Sequence, residues 1–560
     1  MNVKVSELIV GFMERLGIEV IFGMPGAHIL PVYDALYDSS VRSVLAKHEQ
    51  GAAFMAGGYA RASGRIGACI TTAGPGATNL VTGIANAYAD KLPILVITGE
   101  APTYLFGKGG LQESSGEGGT IDQSALFGGI TRYHKIVERS DYLPNVLNRA
   151  AQILLSPNSG PVVLSFPFNV QKELVDAAIL ERVKTAFPKS RQRDQSEPIE
   201  RLTDLLLEAE NPVIVAGYGC IKAGSQDLVS ELSESLNVPV VTSLKGKGAI
   251  SERSALSLGS LGVTSYGAAY RYIAEESDLV VFLGAGFNER TSYVWDEKLL
   301  KDKKIAQVDI DEDQLEKVFQ ADVAINGDIK EVLSGVLINL QERRAQRRNG
   351  ARARRYIKDI DPQPAESDYA IFRSRFPLVE RFFAKLEERI PQGARVFDDN
   401  IIFAQNFYRV SSGNRYFPNS GVSSLGHAIP AAIGARFAVQ NATRPSTWAI
   451  IGDGGFQMCC MELMTAVNYN IPLNVVLFNN ATMGLIRKNQ TQQYDKRFID
   501  CDFVNPDYAA LAKAFGIRYR HVADEGDLEA LFTHDDLVNA INLIEIPLDK
   551  DAFPNYISKR

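Results

Sequence analysis

The sequence predicts an α/β fold of three doubly wound domains, each a parallel sheet with helices on both faces. Short apolar runs alternate along the whole chain with stretches of helical periodicity, and a glycine-containing turn follows most of the runs. Runs that are apolar throughout indicate strands buried on both faces, which is typical of parallel sheets. The chain has 560 residues, too many for one core when a domain averages about 150 residues.

Two polar stretches, 182–200 and 341–368, interrupt the alternation and are interpreted as linkers. They predict domains at 1–182, 197–342 and 366–560. The arginine-rich run 343–355 is interpreted as a solvated helix end, because the net charge of −7 argues against a protein that binds nucleic acid.

The composition predicts a cytoplasmic protein without membrane spans. Hydrophobic residues make up 46% of the chain and charged residues 22%, which is ordinary for a globular protein. The five cysteines show no CxxC spacing, which favours a reducing compartment. Glu7 and Glu14 interrupt the apolar residues near the start, so this segment predicts an amphipathic helix leading into a strand rather than a signal peptide. No apolar run approaches the roughly 18 residues that a membrane span requires.

The apolar runs define the strands that position any ligand site. The predicted strands lie at 20–22, 44–46 and 68–71 in the first domain, 212–216 and 278–283 in the second, and 448–451 and 473–478 in the third. Ligands of open parallel sheets bind beyond the carboxyl ends of the strands. Functional residues are therefore expected directly after these runs.

A metal site is predicted where two strands of the third domain end. Asp453 follows the strand at 448–451, and Asn480 follows the next strand after one predicted helix, over about 458–469. Both strands of a βαβ unit open on the same edge of the sheet, so these side chains can approach one ion. With the main-chain carbonyl of Thr482 they form an all-oxygen ligand set that suits Mg²⁺ or Ca²⁺.

Gly454 and Gly455 would let a diphosphate approach the N-terminus of the helix that follows, where free N–H groups favour an anion. Taken alone, the GDGG sequence could equally be a simple strand-to-helix turn. The asparagine pair after the next strand favours the ligand site.

This spacing, GDG followed by NN after one helix and one strand, resembles the thiamine-diphosphate signature. The whole chain resembles the acetohydroxyacid (acetolactate) synthase large-subunit family of thiamine-diphosphate enzymes. Six segments carry the resemblance in family order, at 22–36, 47–64, 71–88, 159–171, 308–317 and 424–435. The resemblance implies pyrimidine-binding, central and diphosphate-binding domains, in that order.

The resemblance assigns roles to particular residues. Glu49 would share a proton with the pyrimidine ring of the cofactor, which requires a buried carboxyl with a raised pKa. Leu425 would hold the cofactor in its bent form. The residues implied to bind the cofactor are Pro25, Gly26, Thr72, Gly76, Asn79, Ser424, Leu425, Gly426, Gly452, Asp453, Gly454, Gly455, Asn480, Thr482, Met483 and Gly484.

Four further residues are implied to face the substrates. Gln112 matches a family glutamine near the reacting ketoacid and is taken as catalytic, and Arg290 matches an arginine that reaches the second substrate. His28 lies at a turn where relatives carry small or polar active-site residues, although a structural role for it is the simpler interpretation. Asn489 replaces a tryptophan that helps biosynthetic members to select the acceptor, which favours the same chemistry on another acceptor.

The implied activity is that of a carboligase dependent on thiamine diphosphate and Mg²⁺. It would decarboxylate a 2-ketoacid, with pyruvate the first candidate, and transfer the acyl group to a carbonyl acceptor. The active site would lie between the subunits of a homodimer or homotetramer. Gly286 replaces a family arginine beside the FAD site, so the question of bound FAD stays open.

Two alternatives remain at this point. The chain could be a simple 2-ketoacid decarboxylase or a 2-hydroxyacyl-CoA lyase on the same fold. It could also be a catalytically silent binding protein, although a silent copy has no reason to keep Glu49, Asp453 and Asn480 together.

Overall fold

The fold consists of three parallel sheets that follow one another along the chain. The computed structural model describes residues 2–186, 194–262, 264–265, 267–346, 368–389, 393–411, 415–438, 446–533 and 536–553. Within these residues each sheet has six strands and is flanked by helices. The predicted α/β class with three doubly wound sheets is confirmed.

The N-terminal sheet has the strand order β3-β2-β4-β5-β7-β6, with every pair parallel. A separate antiparallel pair joins β1 to β8. The strands are β1 Asn2–Lys4, β2 Val20–Gly23, β3 Arg42–Leu45, β4 Gly67–Thr71, β5 Ile94–Glu100, β6 Tyr133–Ile136, β7 Val162–Pro167 and β8 Leu174–Asp176. The helices are α1 Val5–Arg15, α2 Leu30–Tyr37, α3 Glu49–Ser63, α4 Pro75–Asn79, α5 Val81–Ala89, α6 Gln123–Gly128 and α7 Leu143–Leu154.

The middle sheet has the order β11-β10-β9-β12-β13-β14 and is also parallel throughout. Its strands are β9 Pro212–Ala216, β10 Val240–Ser243, β11 Ser257–Leu261, β12 Leu279–Leu283, β13 Lys304–Asp309 and β14 Val323–Asn326. Its helices are α8 Ser196–Glu208, α9 Tyr218–Lys222, α10 Gln226–Leu236, α11 Ala268–Arg271 and α12 Ile329–Gln346.

The C-terminal sheet has the parallel order β16-β15-β17-β18-β20-β19. Its strands are β15 Arg395–Asp398, β16 Arg415–Pro418, β17 Thr447–Gly452, β18 Leu473–Asn479, β19 Arg518–His521 and β20 Ile541–Pro547. Its helices are α13 Asp368–Arg375, α14 Pro377–Arg389, α15 Ile402–Phe407, α16 Ala428–Phe437, α17 Asp453–Cys459, α18 Leu463–Asn468, α19 Gly484–Gln493, α20 Tyr508–Phe515, α21 Glu525–Thr533 and α22 Asp536–Asn539.

Each sheet has a point where the strand order reverses direction. The reversal lies between β2 and β4 in the N-terminal sheet, between β9 and β12 in the middle sheet, and between β15 and β17 in the C-terminal sheet. At such a point the loops leave in opposite directions and open a crevice beyond the carboxyl ends of the strands.

Helices α3 and α16 join the N-terminal sheet to the C-terminal sheet through contacts that only glycine allows. A Cβ atom added at Gly58 would lie 2.0 Å from the carbonyl oxygen of Ala431, and one added at Gly434 would lie 2.0 Å from that of Met55. One hydrophobic core cluster continues across this contact, from Phe22 to Phe397. The two helices therefore fix the N-terminal sheet against the C-terminal sheet of the same chain.

The predicted linkers are partly wrong. Helix α8 begins at Ser196, inside the stretch 182–200, and α12 continues to Gln346, inside the stretch 341–368. Both helices contain apolar residues at helical spacing among many charges, so a polar composition alone did not mark their ends. Residues 187–193 and 347–367 lie outside the described residues.

The helix predicted over about 458–469 begins earlier, at Asp453, and a 3-10 turn at Cys460–Glu462 separates α17 from α18. Gly454 and Gly455 disfavour a helix by propensity, but the first turn of α17 includes both. Across the described residues, no helix combines the length and the apolar character needed to cross a membrane.

Candidate active site

Asp453 is a buried carboxylate with several hydrogen-bond donors at the C-terminal switch point. It is the first residue of α17, and 2% of its surface is exposed. Its Oδ2 accepts the N–H groups of Asn480 (3.1 Å) and Ala481 (2.6 Å) and the side-chain amide of Asn505 (2.9 Å), while Oδ1 accepts the N–H of Gly454 (2.9 Å). Burial raises the pKa of Asp453 above its ordinary value, and these donors oppose the rise. A buried carboxylate of this kind is stabilised by a nearby cation.

The loop after β18 carries the other two predicted metal ligands. The N–H of Thr482 donates to Oδ1 of Asn480 at 3.3 Å. Thr482 is buried and forms an antiparallel bridge with Asp502, and its hydroxyl donates to the carbonyl of Cys501 at 2.9 Å. The segment at 501–503 therefore fixes the loop that carries both ligands.

A cavity of about 300 Å³ lies at this edge of the C-terminal sheet. Arg290 of the middle domain contributes to its lining, and buried Nη1 of Arg290 has no hydrogen-bond partner among the described residues. The predicted cofactor residues that line the cavity are Leu425, Gly452, Asp453, Gly454, Gly455, Asn480, Thr482, Met483 and Gly484.

The turn that carries Leu425 is held by Asp399, which directly follows β15. The carboxylate of Asp399 accepts the N–H groups of Gly426 (2.8 Å), His427 (2.9 Å) and Ala428 (3.1 Å), which are orphan donors at the start of α16. Burial raises the pKa of Asp399 to about 7. Ser424 and Gly426 flank Leu425, so this contact sets the main chain of the predicted cofactor turn.

Glu49 lies elsewhere, at the carboxyl edge of the N-terminal sheet. It is the first residue of α3, and Nδ2 of Asn79 donates to its Oε2 at 2.9 Å. Its side chain is half-buried, so the prediction of a buried Glu49 is wrong for the chain by itself. Glu49 projects from a helix start, and full burial there would need cover beyond what the described part of the chain provides.

The start of α3 is anchored by a carboxylate from the C-terminal domain. Glu462 accepts the N–H groups of Lys47 (3.1 Å) and His48 (3.0 Å), and the hydroxyl of Thr465 donates to it at 2.7 Å. Glu462 is 3% exposed, and burial raises its pKa. The C-terminal domain thus determines where the backbone of Glu49 lies.

Gln112 lies in a loop at the carboxyl edge of the N-terminal sheet, and its own backbone is strained. Its φ of +56° is in the left-handed region, which is uncommon for any residue other than glycine. Its Oε1 lies 3.3 Å from Nδ1 of His28 and 3.4 Å from the hydroxyl of Thr72. His28 and Thr72 are each 8% exposed. The structure therefore brings these three predicted residues together.

The remaining predicted cofactor residues of the N-terminal domain follow β2 and β4, on either side of the switch point. Pro25 and Gly26 follow β2, while Gly76 and Asn79 belong to α4 just after β4. Asn489 lies in α19, about one turn beyond Leu485, and is half-buried outside the residues that line the C-terminal cavity.

A second and larger cavity, about 720 Å³, opens at the switch point of the middle sheet. Its lining includes Lys245, Gly284, Arg290 and Asp309. The backbones there approach closely, because a Cβ atom added at Gly217 would lie 2.0 Å from the carbonyl oxygen of Gly284. Arg290 lines both cavities.

The predicted residues therefore form two groups in one chain. The metal and diphosphate candidates line the C-terminal cavity together with Leu425 and Arg290, whereas Glu49 and Gln112 lie at the N-terminal sheet edge, outside that lining. The sequence analysis missed Asp399, Glu462 and Asn505. Asp399 had a usable signal, because it directly follows a strand, but a single sequence gives no pattern that pairs Asn505 with Asp453.

The C-terminal cavity fits a divalent cation and a diphosphate. Asp453, Asn480 and Thr482 line it together, and carboxylate, carboxamide and carbonyl oxygens are the ligand types that Mg²⁺ prefers. Beside them, a Cβ atom at Gly455 would lie 2.5 Å from Oδ2 of Asp399, and one at Gly454 would lie 2.6 Å from Sδ of Met483. A side chain at position 455 would therefore displace the carboxylate of Asp399, whereas at position 454 the side chain of Met483 would have to move.

Comparison with known proteins gives the same order of domains. Residues 3–125 match the family model described as "Thiamine pyrophosphate enzyme, N-terminal TPP binding domain". Residues 199–336 match the central domain of the same enzymes, and residues 400–535 match their C-terminal TPP binding domain.

Curated relatives match over nearly the full length. The chain is 32% identical to a probable acetolactate synthase large subunit of Methanocaldococcus jannaschii, over 98% of this chain and 93% of that protein. It is 31% identical to the acetolactate synthase large subunit of Lactococcus lactis, over 92% of this chain and 87% of the relative. It is 31% identical to the acetolactate synthase isozyme 2 large subunit of Escherichia coli, over 94% of this chain and 92% of the relative. The chain therefore belongs to the acetolactate synthase large-subunit family of thiamine pyrophosphate enzymes.

Proposed function

We propose that the chain is a carboligase, dependent on thiamine diphosphate and Mg²⁺, that decarboxylates a 2-ketoacid and joins the acyl fragment to a carbonyl acceptor. Pyruvate is the first candidate for the donor. The observation that carries the proposal is that Asp453, Asn480 and Thr482 line one cavity beside Gly454 in a chain of this family.

The C-terminal residues bind and orient. In this proposal Asp453, Asn480 and the carbonyl of Thr482 hold Mg²⁺, and the main chain at Gly454 and Gly455 receives the diphosphate. Asn505 keeps Asp453 in place through its 2.9 Å hydrogen bond. Leu425 lies in the cavity on a turn fixed by Asp399, which suits a steric role under the cofactor. When bound, thiamine diphosphate supplies an electron sink for decarboxylation.

Glu49 moves a proton in this proposal. Asn79 donates to Oε2, which leaves Oε1 of Glu49 as the oxygen that exchanges a proton with the pyrimidine end of the cofactor. A general acid–base group of this kind contributes roughly 100- to 10,000-fold to a rate. Gln112 and His28 would face the reacting ketoacid, and Arg290 would bind the carboxylate of an acceptor through Nη1, which has no hydrogen-bond partner among the described residues.

The separation of Glu49 from the cavity supports an active site that two subunits of a homodimer share. A homotetramer would contain two such dimers. Glu49 of the partner subunit would then complete the cavity of each protomer. Two large apolar side chains near these groups, Met458 with 60% and Leu45 with 41% of its surface exposed, would be available for contact with a second copy.

Complementation tests this arrangement. Glu49→Gln and Asp453→Ala are each expected to be inactive, but mixed dimers hold one intact site, so random mixing should restore about a quarter of wild-type activity. The mixing is checked with two affinity tags. Mixed dimers that stay inactive would contradict the shared site.

The larger cavity is the place that we assign to FAD. Its position at the switch point of the middle sheet and the close approach of Gly217 to Gly284 support a dinucleotide there, whereas Gly286, where the resemblance implies an arginine, argues against it. An absorbance spectrum of the purified protein tests it, since bound flavin has bands in the visible range. A protein that shows no flavin absorbance after incubation with FAD would contradict this assignment.

The domain borders at 182, 197, 342 and 366 and the cytoplasmic location also remain proposals. Domain borders within a few residues of these positions are supported by the three sheets, and the location by the cysteine pattern of the sequence.

Mass spectrometry of the products from pyruvate and a panel of acceptors, with thiamine diphosphate and Mg²⁺ present, tests the reaction. Acetaldehyde as the single product would contradict the carboligase and favour a decarboxylase.

A further inference from the structure

Glu100 is a buried carboxyl group that the proposed mechanism does not use. It is the last residue of β5 and is fully buried. Its Oε1 accepts the N–H groups of Ala101 (2.7 Å) and Ser114 (2.9 Å), and Nε2 of Gln123 lies 3.4 Å from Oε2. A carboxyl group is placed here at the cost of desolvation, so its contacts need an explanation.

Ser114 connects Glu100 to the loop of Gln112. Ser114 is 1% exposed, and its hydroxyl donates to the carbonyl of Gln112 at 3.2 Å. The same hydroxyl accepts the N–H of Gly74 at 3.2 Å, and the carbonyl of Ser114 accepts the N–H of Gln123 at 3.1 Å. The backbone that Glu100 holds is therefore two residues from Gln112 and is tied to the loop after β4.

Gln112 depends on such an anchor because its conformation is strained. The φ angle of Gln112 is +56°. A Cβ atom added at Gly74 would lie only 2.9 Å from the Cβ atom of Gln112, so the loop of Gln112 packs directly against the loop of Gly74. Strained residues persist where the surrounding structure fixes them. Glu100 and Ser114 provide that fixation from the end of β5.

We propose that Glu100 is a positioning residue that holds Gln112 toward the reacting ketoacid, and that it does so most firmly as the carboxylate. This inference rests on the proposed function, which places Gln112 on the substrate side. Hydrogen bonds to an ionised acceptor are stronger than those to a neutral one, so protonation of Glu100 loosens the loop.

The surroundings of Glu100 place its titration in the neutral range. Burial raises the pKa of Glu100 to about 7, the N–H groups of Ser114 and Ala101 oppose the rise, and the nearby carboxylate of Glu113 adds to it. Glu113 itself accepts the N–H groups of Gly107 (2.6 Å) and Gly110 (2.8 Å). His134 is a further titratable group of the network: it lies 3.3 Å from the hydroxyl of Ser165, which accepts the side-chain amide of Gln123 at 2.9 Å, and burial lowers the pKa of His134 to about 4.

Glu100 is therefore the carboxyl group of this network whose pKa is raised toward neutrality, and His28 is the other ionisable side chain that contacts Gln112. The hold on Gln112 should strengthen as the pH rises through 7, and kcat/KM for the ketoacid should rise with it.

Three variants of the full-length enzyme, Glu100→Gln, Glu100→Ala and Glu117→Gln, test the inference. Gln at position 100 keeps an acceptor oxygen for both N–H groups but cannot ionise, and Glu117 is an exposed glutamate of the same loop that serves as the control. The measurements are kcat and KM for pyruvate between pH 5.5 and 8.5, together with the affinity for thiamine diphosphate from quenching of intrinsic fluorescence.

Glu100→Ala is expected to lower kcat/KM by roughly 10- to 100-fold, as small misplacements of catalytic groups do, with unchanged affinity for thiamine diphosphate. Glu100→Gln should restore most of the loss and flatten the rise near pH 7, and Glu117→Gln should behave as wild type.

Several results would overturn the inference. They are wild-type activity in Glu100→Ala, a parallel loss of cofactor affinity, or a Glu100→Gln variant that keeps the wild-type pH profile. The last of these decides the matter even if Glu100→Ala does not fold. Failure of the proposed function is distinguishable, because the wild-type enzyme would then release no CO₂ from pyruvate at any pH.

Discussion

The contact between α3 and α16 predicts opposite effects for two adjacent glycines. In Gly58→Ala, the new Cβ atom would lie 2.0 Å from the carbonyl oxygen of Ala431, which would have to move by about 1.4 Å to reach an ordinary 3.4 Å contact. In Gly57→Ala, the new Cβ atom would lie 3.5 Å from Cδ1 of Leu92, an ordinary contact. The two substitutions are chemically identical and neighbouring, so they form a matched pair.

The expected magnitudes follow from packing and helix propensity. Replacing a glycine inside a helix by alanine stabilises it by roughly 0.5–1 kcal/mol. Overpacking costs about 1–3 kcal/mol and more where backbone must move, so Gly58→Ala should be destabilised by about 1–2 kcal/mol overall. Gly57→Ala should be neutral or slightly more stable than wild type.

Thermal unfolding followed by circular dichroism measures the difference. For a domain of 150–250 residues, 1 kcal/mol corresponds to about 2–4 °C, so Gly58→Ala should unfold several degrees below Gly57→Ala. Because α3 begins at Glu49, the shifted helix should also reduce CO₂ release, by up to about 100-fold for a 1 Å misplacement. Equal unfolding midpoints and equal turnover in the two variants would refute the assigned contact.

Three further substitutions test the two groups of site residues. Glu49→Gln should lower CO₂ release by roughly 100- to 10,000-fold while the affinity for thiamine diphosphate is retained, which a stopped assay and fluorescence titration measure together. Asn505→Ala removes the amide that holds Asp453 and should weaken Mg²⁺ binding by about 10–100-fold in a metal titration of activity. Glu462→Ala removes the acceptor of the N–H groups of Lys47 and His48, a loss of about 0.5–1.5 kcal/mol for each hydrogen bond, and should lower both the unfolding midpoint and turnover.

Each of these has a contrary outcome. Unchanged turnover in Glu49→Gln would remove that carboxyl from the mechanism. An unaltered Mg²⁺ requirement in Asn505→Ala would show that Asp453 needs no support from that side. Wild-type turnover in Glu462→Ala would mean that the start of α3 keeps its position without the C-terminal carboxylate.

The sequence predicted what depends on short-range pattern. Buried strands such as the one before Asp453 are apolar throughout, so their positions and their parallel pairing followed from the alternation with helices. Asp453 and Asn480 could be paired because both directly follow adjacent strands of one βαβ unit, and the structure joins them by a 3.1 Å hydrogen bond. Their assignment as metal ligands stays a prediction.

Contacts between distant segments could not be predicted in this way. Glu462 binds the backbone of Lys47, 415 positions away, and no local pattern in either segment indicates the other. The burial expected for Glu49 rested on its assigned role and on the small and apolar residues that follow it, but within the described part of the chain its side chain is half-buried. The start of α8 at Ser196 and the end of α12 at Gln346 were missed because the polar composition around them was interpreted as linker.

The glycine contacts between α3 and α16 have a consequence for the proposed dimer. Helix α3 starts at Glu49, and α16 starts three residues after Leu425, so in the proposed dimer one helix pair would carry Glu49 for one catalytic centre and Leu425 for the other. Any tilt of this pair that brings Glu49 closer to its cofactor must also displace Leu425 in the neighbouring centre. A change of conformation in one of the two identical active sites would then be coupled to the other through this helix pair, which would favour alternating turnover.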